Sequence, residues 1–229
     1  MSSTAAVRPS NRTRRKPGRA TAADLAVEYI KQEIWDGRLR PGQRVPQPDV
    51  ALALGMSGTP VRQAVSILAQ QGRVIIENHR GSFIAPFDRQ FVLEHYELIG
   101  VVYGWSATRC ANRRDPAILE QLEPLADRIV SALTPDELFE QASAAFFFIH
   151  SESGSWASMH LVQSLAGLVP GNVYSVVPAT IAVTRRSIPA IIAAVREGNG
   201  ERAGILCQTM WHEHGQLIVD HLVGIGTFE

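Results

Sequence analysis

The sequence predicts a mainly α-helical protein: an N-terminal winged helix-turn-helix with a small β-hairpin, followed by an all-α helical bundle. Three observations carry that expectation. Residues 47–71, QPDVALALGMSGTPVRQAVSILAQQ, hold two short helical patterns separated by a tight break at Gly55. Two short β-branched and aromatic runs, 74–76 and 82–85, then flank a polar Asn78–Gly81 centre, as strands flank a hairpin turn. From Asp88 onward strand signals nearly vanish, and apolar residues recur at helical spacing to the end of the chain.

The elements follow in order. Residues 1–20 are polar and basic, with Arg8, Arg12, Arg14, Arg15, Lys16 and Arg19 and almost nothing to bury, so a disordered arm is expected. Thr21 and Asp24 form a capping-box pattern that opens a first helix, whose apolar face is Ala26, Tyr29, Ile30 and Ile34 and whose end is Gly37. A basic turn, Arg38 to Arg44, is held by Pro41-Gly42. The first motif helix is expected over Val50–Leu54. For the second, Thr59 is the expected cap and Pro60 the expected first helical position. Val61, Ala64, Val65, Leu68 and Ala69 then fall on one stripe, and Arg62, Gln63, Ser66 and Gln70 on the other face. Two helices joined by a short glycine-containing turn describe a helix-turn-helix, and the hairpin after it is a wing with His79 and Arg80 at its tip beside Gly81.

Beyond Asp88, helices are expected near 90–112, 116–132, 135–151, 156–168, 178–197 and 200–223, split by Pro- and Gly-containing breaks. The domain reading is therefore a basic arm (1–20), a winged helix-turn-helix (21–88) and an all-α domain (89–229), the last long enough for its own core.

Charge sorts the same way. The formal net charge is zero, yet residues 1–90 hold 14 Lys+Arg against 7 Asp+Glu, and residues 91–229 hold 8 against 15. A basic module attached to an acidic one implies a polyanion partner for the first, here double-stranded DNA. No apolar run approaches the ~18 residues of a membrane span, and no secretory pattern opens the chain, so no membrane role and a cytoplasmic location are expected. Cys110 and Cys207 lack metal or redox spacing and read as buried thiols. No Ser-His-Asp order, P-loop or dinucleotide fingerprint occurs, which argues against an enzyme.

The order GRLRPGQRV, LALGMSGTPVRQAVSILAQQGRV and HRGSFIA resembles the GntR superfamily of bacterial transcription regulators over about residues 22–88. The helical half is similar to the effector-binding FCD domain of its FadR subfamily, on helix count and the EGNGERA segment at 197–203. The resemblance implies a homodimer on a palindromic operator, a repressor whose DNA affinity changes when a small molecule enters the helical domain. It assigns base or backbone contacts to Ser57, Thr59, Arg62, Gln63 and Ser66 of the motif. Arg40, Arg44 and Gln47 precede them, and His79, Arg80 and Gly81 extend the set into the wing.

Departures from the family pattern sharpen this. Family members usually have arginine where this chain has Gly58, and a charged start to the first motif helix where it has Gln47-Pro48-Asp49. Each lost guanine reader removes about 1–3 kcal/mol of discrimination, so either the operator differs or Arg40, Arg44, Arg80 and the basic arm supply more of the affinity through phosphates. The family's Asp-x-x-x-His metal pair falls at Phe146 and His150, and its later histidines near Ile188 and Met210, so no metal and no cofactor are expected. The family's arginine and glutamate of the first FCD helix fall near Ile99 and Tyr103. An apolar or weakly anionic effector is expected among Tyr103, Phe146, His150, Met210 and His214, with Arg109 and Arg185 as anion anchors. Two alternatives stay open. One is a shifted three-histidine metal site from His150, His214 and His221. The other is a small-molecule or metal-binding helical protein with a degenerate DNA module.

Overall fold

The computed structural model describes residues 20–165 and 167–228, so all but the last residue of the expected basic arm lies outside the described residues. The N-terminal part contains α1 (Ala22–Trp35), α2 (Gln47–Ala53), α3 (Gly58–Gln70), β1 (Val74–Glu77) and β2 (Gly81–Ile84). The remainder is helical: α4 (Arg89–Arg113), α5 (Pro116–Ser131), α6 (Pro135–Glu152), α7 (Trp156–Leu165), α8 (Val173–Val176), α9 (Thr180–Arg196) and α10 (Gly200–Gly224). A winged helix-turn-helix followed by a helical bundle is therefore the architecture, as the pattern predicts.

Local chemistry starts most helices where expected. Thr21 Oγ1 accepts from the Asp24 amide at 3.1 Å while Asp24 accepts from the Thr21 amide at 2.9 Å, a closed capping box. Two details of the motif differ from expectation. α2 begins at Gln47, a turn before its apolar residues, because Pro48 fits a first turn that needs no N–H and Asp49 complements the helix N-terminus. α3 begins at Gly58 with Ser57 in the N-cap position, so Thr59 does not cap and Pro60 is not the first helical residue. Thr59 Oγ1 instead accepts from Arg62 Nη2 at 3.0 Å.

Val61, Ala64, Val65 and Leu68 turn into a core shared with Ile30 and Trp35 of α1. The hairpin pairs Val74 with Ile84 and Glu77 with Gly81, antiparallel, and Arg44 bridges Phe83 on the free edge of β2. Gln47 Nε2 donates to Ser82 Oγ at 3.1 Å, which ties α2 to the wing.

In the helical half, α4 and α10 run antiparallel along a seam of small residues, GVVYG at 100–104 against GERAG at 200–204. A Cβ on Gly104 would sit 2.9 Å from the Gly204 carbonyl, and one on Gly204 would sit 2.7 Å from Thr108 Oγ1. Only glycine permits this approach. Around the pair, α5, α6 and α9 close a second core containing Leu122, Ile129, Leu138, Ile188 and Ile191. α7 ends before the expected 168, and α8 is a single turn the sequence pattern did not mark.

The first core does not stop at residue 88. It continues from Trp35 and Leu68 through Phe87 to Ile218, Leu222 and Phe228 at the far end of α10. Thr227 Oγ1 donates to the Trp35 carbonyl at 2.6 Å, and the Phe87 and Phe228 rings lie 5.3 Å apart. Among the described residues, no helix is long and apolar enough to cross a membrane.

Candidate nucleic-acid interface and internal cavity

The start of α3, the start of α2 and the wing converge on a groove of about 640 Å³. Arg44, Gln47, Gly58, Arg62, Gly81 and Ser82 line it, and among the described residues no carboxylate does. Gly81 has φ 119°, and a Cβ there would come within 2.8 Å of Arg44 Nε; the glycine lets Arg44 lie across the wing. Gly58 leaves open space, since a Cβ there would touch only Arg62 Nη1, at 3.4 Å.

The sequence-predicted DNA residues divide by what occupies them. Among the described residues, Arg40, Arg44 and Arg62 are exposed and make no ion pair. Ser57, Thr59 and Gln63 are exposed on the same end or outer face of α3. Ser66 is exposed too, but its hydroxyl donates to the Arg62 carbonyl at 3.1 Å and is partly committed. At the wing tip His79 is exposed with φ 61°, whereas Arg80 is neutralised by Glu77 at 2.6 Å and lies over the Phe83 ring. Arg38, counted in the basic turn, is likewise held by Glu33 and Asp36.

A second feature lies inside the helical half. A cavity of about 350 Å³ adjoins a lobe of about 220 Å³, and the two share Tyr96, Tyr103, Phe139 and Trp211 as walls. Tyr103 and Trp211 stack at 5.4 Å and 25°, and Phe146 meets Tyr103 edge-on at 4.7 Å. Phe139 and Phe147, both largely exposed, stand at the opening.

Of the expected pocket residues, Tyr103, Phe146, His150 and His214 line the cavity. The other three do not. Arg109 donates to the Ser153 carbonyl at 3.1 Å and lies over Trp105; Arg185 donates to the Ala132 carbonyl at 2.6 Å. Both guanidinium groups satisfy the carbonyl ends of helices, α6 and α5, where a cation complements the dipole. Arg186 pairs with Glu213. Met210 is packed one turn deeper, in the closed core beside Cys207.

Among the described residues, no Lys, Arg, Asp or Glu lines either lobe. Burial pushes the His214 imidazole down to about 4 and lowers His150. Burial pushes the Tyr103 and Tyr174 phenols up to about 12. Among the described residues, His95 Nε2, His150 Nε2, His214 Nδ1 and Trp211 Nε1 are buried without a hydrogen-bond partner. Leaving such atoms unpaired in the folded chain is costly.

The three-histidine metal reading does not hold. His221 packs against Trp35 at 5.9 Å, outside the cavity walls, and no group of three His, Cys, Asp or Glu converges among the described residues. Both cysteines are free and buried.

Arg73, the residue that follows the α3 turn, packs against α4. It is buried, carries no ion pair among the described residues, and lies over Phe91 of α4 at 5.4 Å. Burial draws its guanidinium down to about 10. His95, a wall of the smaller lobe, is lowered to about 4 by burial first and by Arg73 second. Lys31 of α1 pairs with Glu28, which also accepts from the Gly171 amide of the lobe's outer loop at 3.2 Å.

Fold and site thus define a winged-helix protein with a basic groove beside the recognition helix and an aromatic cavity in its helical half. Residues 22–84 match the family model for bacterial regulatory proteins of the gntR family. An HTH-type transcriptional regulator of Mycobacterium tuberculosis is 39% identical over 100 residues, 44% of this chain and 41% of that protein. The match therefore spans less than half of that relative's length. An HTH-type transcriptional regulator of Agrobacterium vitis, from the TAR-I ttuE-ttuC' intergenic region, is 32% identical over 130 residues, 56% of this chain and 74% of the relative. The structure of Lar, described as controlling the Listeria monocytogenes agr system, superposes with a TM-score of 0.63 over 87% of this chain and 97% of its own, at 16% identity. The chain belongs to the gntR family of bacterial regulatory proteins.

Proposed function

We propose that this protein is a ligand-responsive transcriptional repressor of the FadR type, which binds a palindromic DNA operator as a homodimer and changes affinity when a small molecule fills its FCD-like helical domain. The observation that carries it is the acid-free groove where Arg44, Gln47 and Arg62 face outward between recognition helix and wing. Residues 21–88 form the DNA-binding unit and residues 89–229 the effector and dimerisation unit. α3 lies in the major groove with Arg62 toward base edges, while Arg40 and Arg44 contact phosphates. Leu98, Val101 and Trp105 form an exposed apolar stripe along α4 that suits a second copy of the chain.

The coupling route is the contact between Arg73 of the DNA unit and Phe91 and His95 of α4, together with the Lys31–Glu28–Gly171 link. A ligand that moves the smaller lobe moves the support of the recognition helix. Fluorescence anisotropy of a labelled duplex from upstream of the gene, at several salt concentrations, tests the DNA role. Binding that weakens steeply with salt and exceeds binding to a scrambled duplex is expected. Equal affinity for both duplexes removes the operator reading, and no binding at low salt removes the DNA role altogether. Light scattering tests the dimer, with Val101→Arg expected to yield monomer.

A further inference from the structure

We propose that the cavity selects uncharged, hydroxylated aromatic molecules through two imidazoles locked as hydrogen-bond acceptors, an inference that rests on reading the helical half as a ligand-binding unit. The lock is inferred from the hydrogen-bond chains behind each ring. Ser106 Oγ donates to the Val102 carbonyl at 3.0 Å, so it meets His150 Nδ1, 2.8 Å away, with a lone pair. His150 then carries its proton on Nδ1 and leaves Nε2 as an acceptor. Thr184 Oγ1 donates to the Tyr174 hydroxyl at 3.2 Å and accepts from His214 Nε2 at 3.1 Å. His214 therefore carries its proton on Nε2 and leaves Nδ1 as an acceptor.

Those two acceptors are the partnerless imidazole atoms of the larger cavity, and the indole N–H of Trp211 is a partnerless donor in the same walls. A hydroxyl answers both needs, donating to an imidazole and accepting from the indole. A carboxylate brings only acceptors to two acceptors, and among the described residues no cation lines the cavity to hold it. An ammonium would lose its hydration with no carboxylate to replace it. The stacked Tyr103 and Trp211 rings and the edge of Phe146 favour a flat aromatic body.

Ring-nitrogen ¹⁵N NMR of the full chain, without added ligand, reads the lock directly. The expected spectrum at pH 7 shows His150 protonated on Nδ1 only and His214 on Nε2 only. A His150 proton on Nε2, toward Ser158, or a charged ring at either position overturns the proposal. Phenol is then titrated against anisole, benzoate and benzylamine. Phenol, with a single donor, should shift the unprotonated nitrogen of His150 or of His214, and anisole, which cannot donate, should bind about tenfold more weakly. No response to phenol, or benzoate or benzylamine binding as tightly as phenol, overturns the ligand class. Thr184→Val should release the His214 tautomer while leaving that of His150 in place; an unchanged His214 removes Thr184 as its positioning residue. Operator affinity measured on phenol-loaded protein separates the two readings. Unchanged DNA binding would end the regulatory role of the site, whereas the tautomers and the probe series judge the ligand class alone.

Discussion

The two halves of this molecule distribute polarity in opposite ways. The winged helix keeps an aliphatic interior of Ile30, Val61 and Leu68 and carries its working charges, Arg40, Arg44 and Arg62, outside. The helical half carries its polar groups inside, with His95, His150, His214, Ser106 and Thr184 all buried. A surface meant for a polyanion gains from exposed cations, while a small molecule is recognised by buried groups that lack partners until it arrives. Under the proposed function, the contrast is that of two different ligands.

Acid tests the contrast most strongly. The folded-state values of His95 and His214 lie near 4, below the 6.5 of a free imidazole. The unfolded chain therefore binds more protons between those values. Stability is fully present above about pH 6.5 and lost as pH falls toward 4, by roughly 3 kcal/mol for each ring. Unfolding by denaturant at pH 7 and pH 4.5 should show that loss. A chain with both replaced by glutamine should show much less, which would place the sensitivity in the helical half.

Gly104→Val should come next. The new methyl groups meet the Gly204 carbonyl across the α4–α10 seam, and a loss of about 1–3 kcal/mol is expected in the same assay. An unchanged midpoint would mean the seam can open. On the DNA side, Arg62→Ala should cost about 1–3 kcal/mol of discrimination between operator and scrambled duplex. Arg40→Ala and Arg44→Ala should instead lower affinity for both duplexes and reduce the salt slope by about one each. The smallest effect expected is a gain. Gly58→Arg has room, removes a helical glycine and restores a cation to the groove, so duplex affinity should rise several-fold without loss of stability.

Local chemistry made much of this legible from residues alone. The Thr21 box, the Gly55 break, the α3 stripe and the Gly81 turn are all statements about near neighbours, and the structure places each where the pattern puts it. Capping was subtler: with Ser57 in the cap position, Thr59 is free to hold Arg62. Convergence over long distances was not legible. The glycines at 100, 104, 200 and 204 read as weak points within helices until the two helices are laid together. Arg109 and Arg185 look like anion anchors by residue type, yet each ends on a helix carbonyl that no linear pattern announces. Trp211, the shared wall of both lobes, reads as ordinary core, and Ser106 and Thr184 acquire meaning only from the rings they face.

The continuity of the first core past Phe87 bears on how such proteins exchange parts. A chimera cut at residue 88 would strip Trp35 and Phe87 of Ile218, Leu222 and Phe228, and would leave Arg73 without the Phe91 ring beneath it. A transplanted reading head would arrive with an open flank and a stranded cation. To graft this winged helix onto another sensor, the exchange has to include the start of α4 and the tail of α10, two segments more than 100 residues apart in the chain.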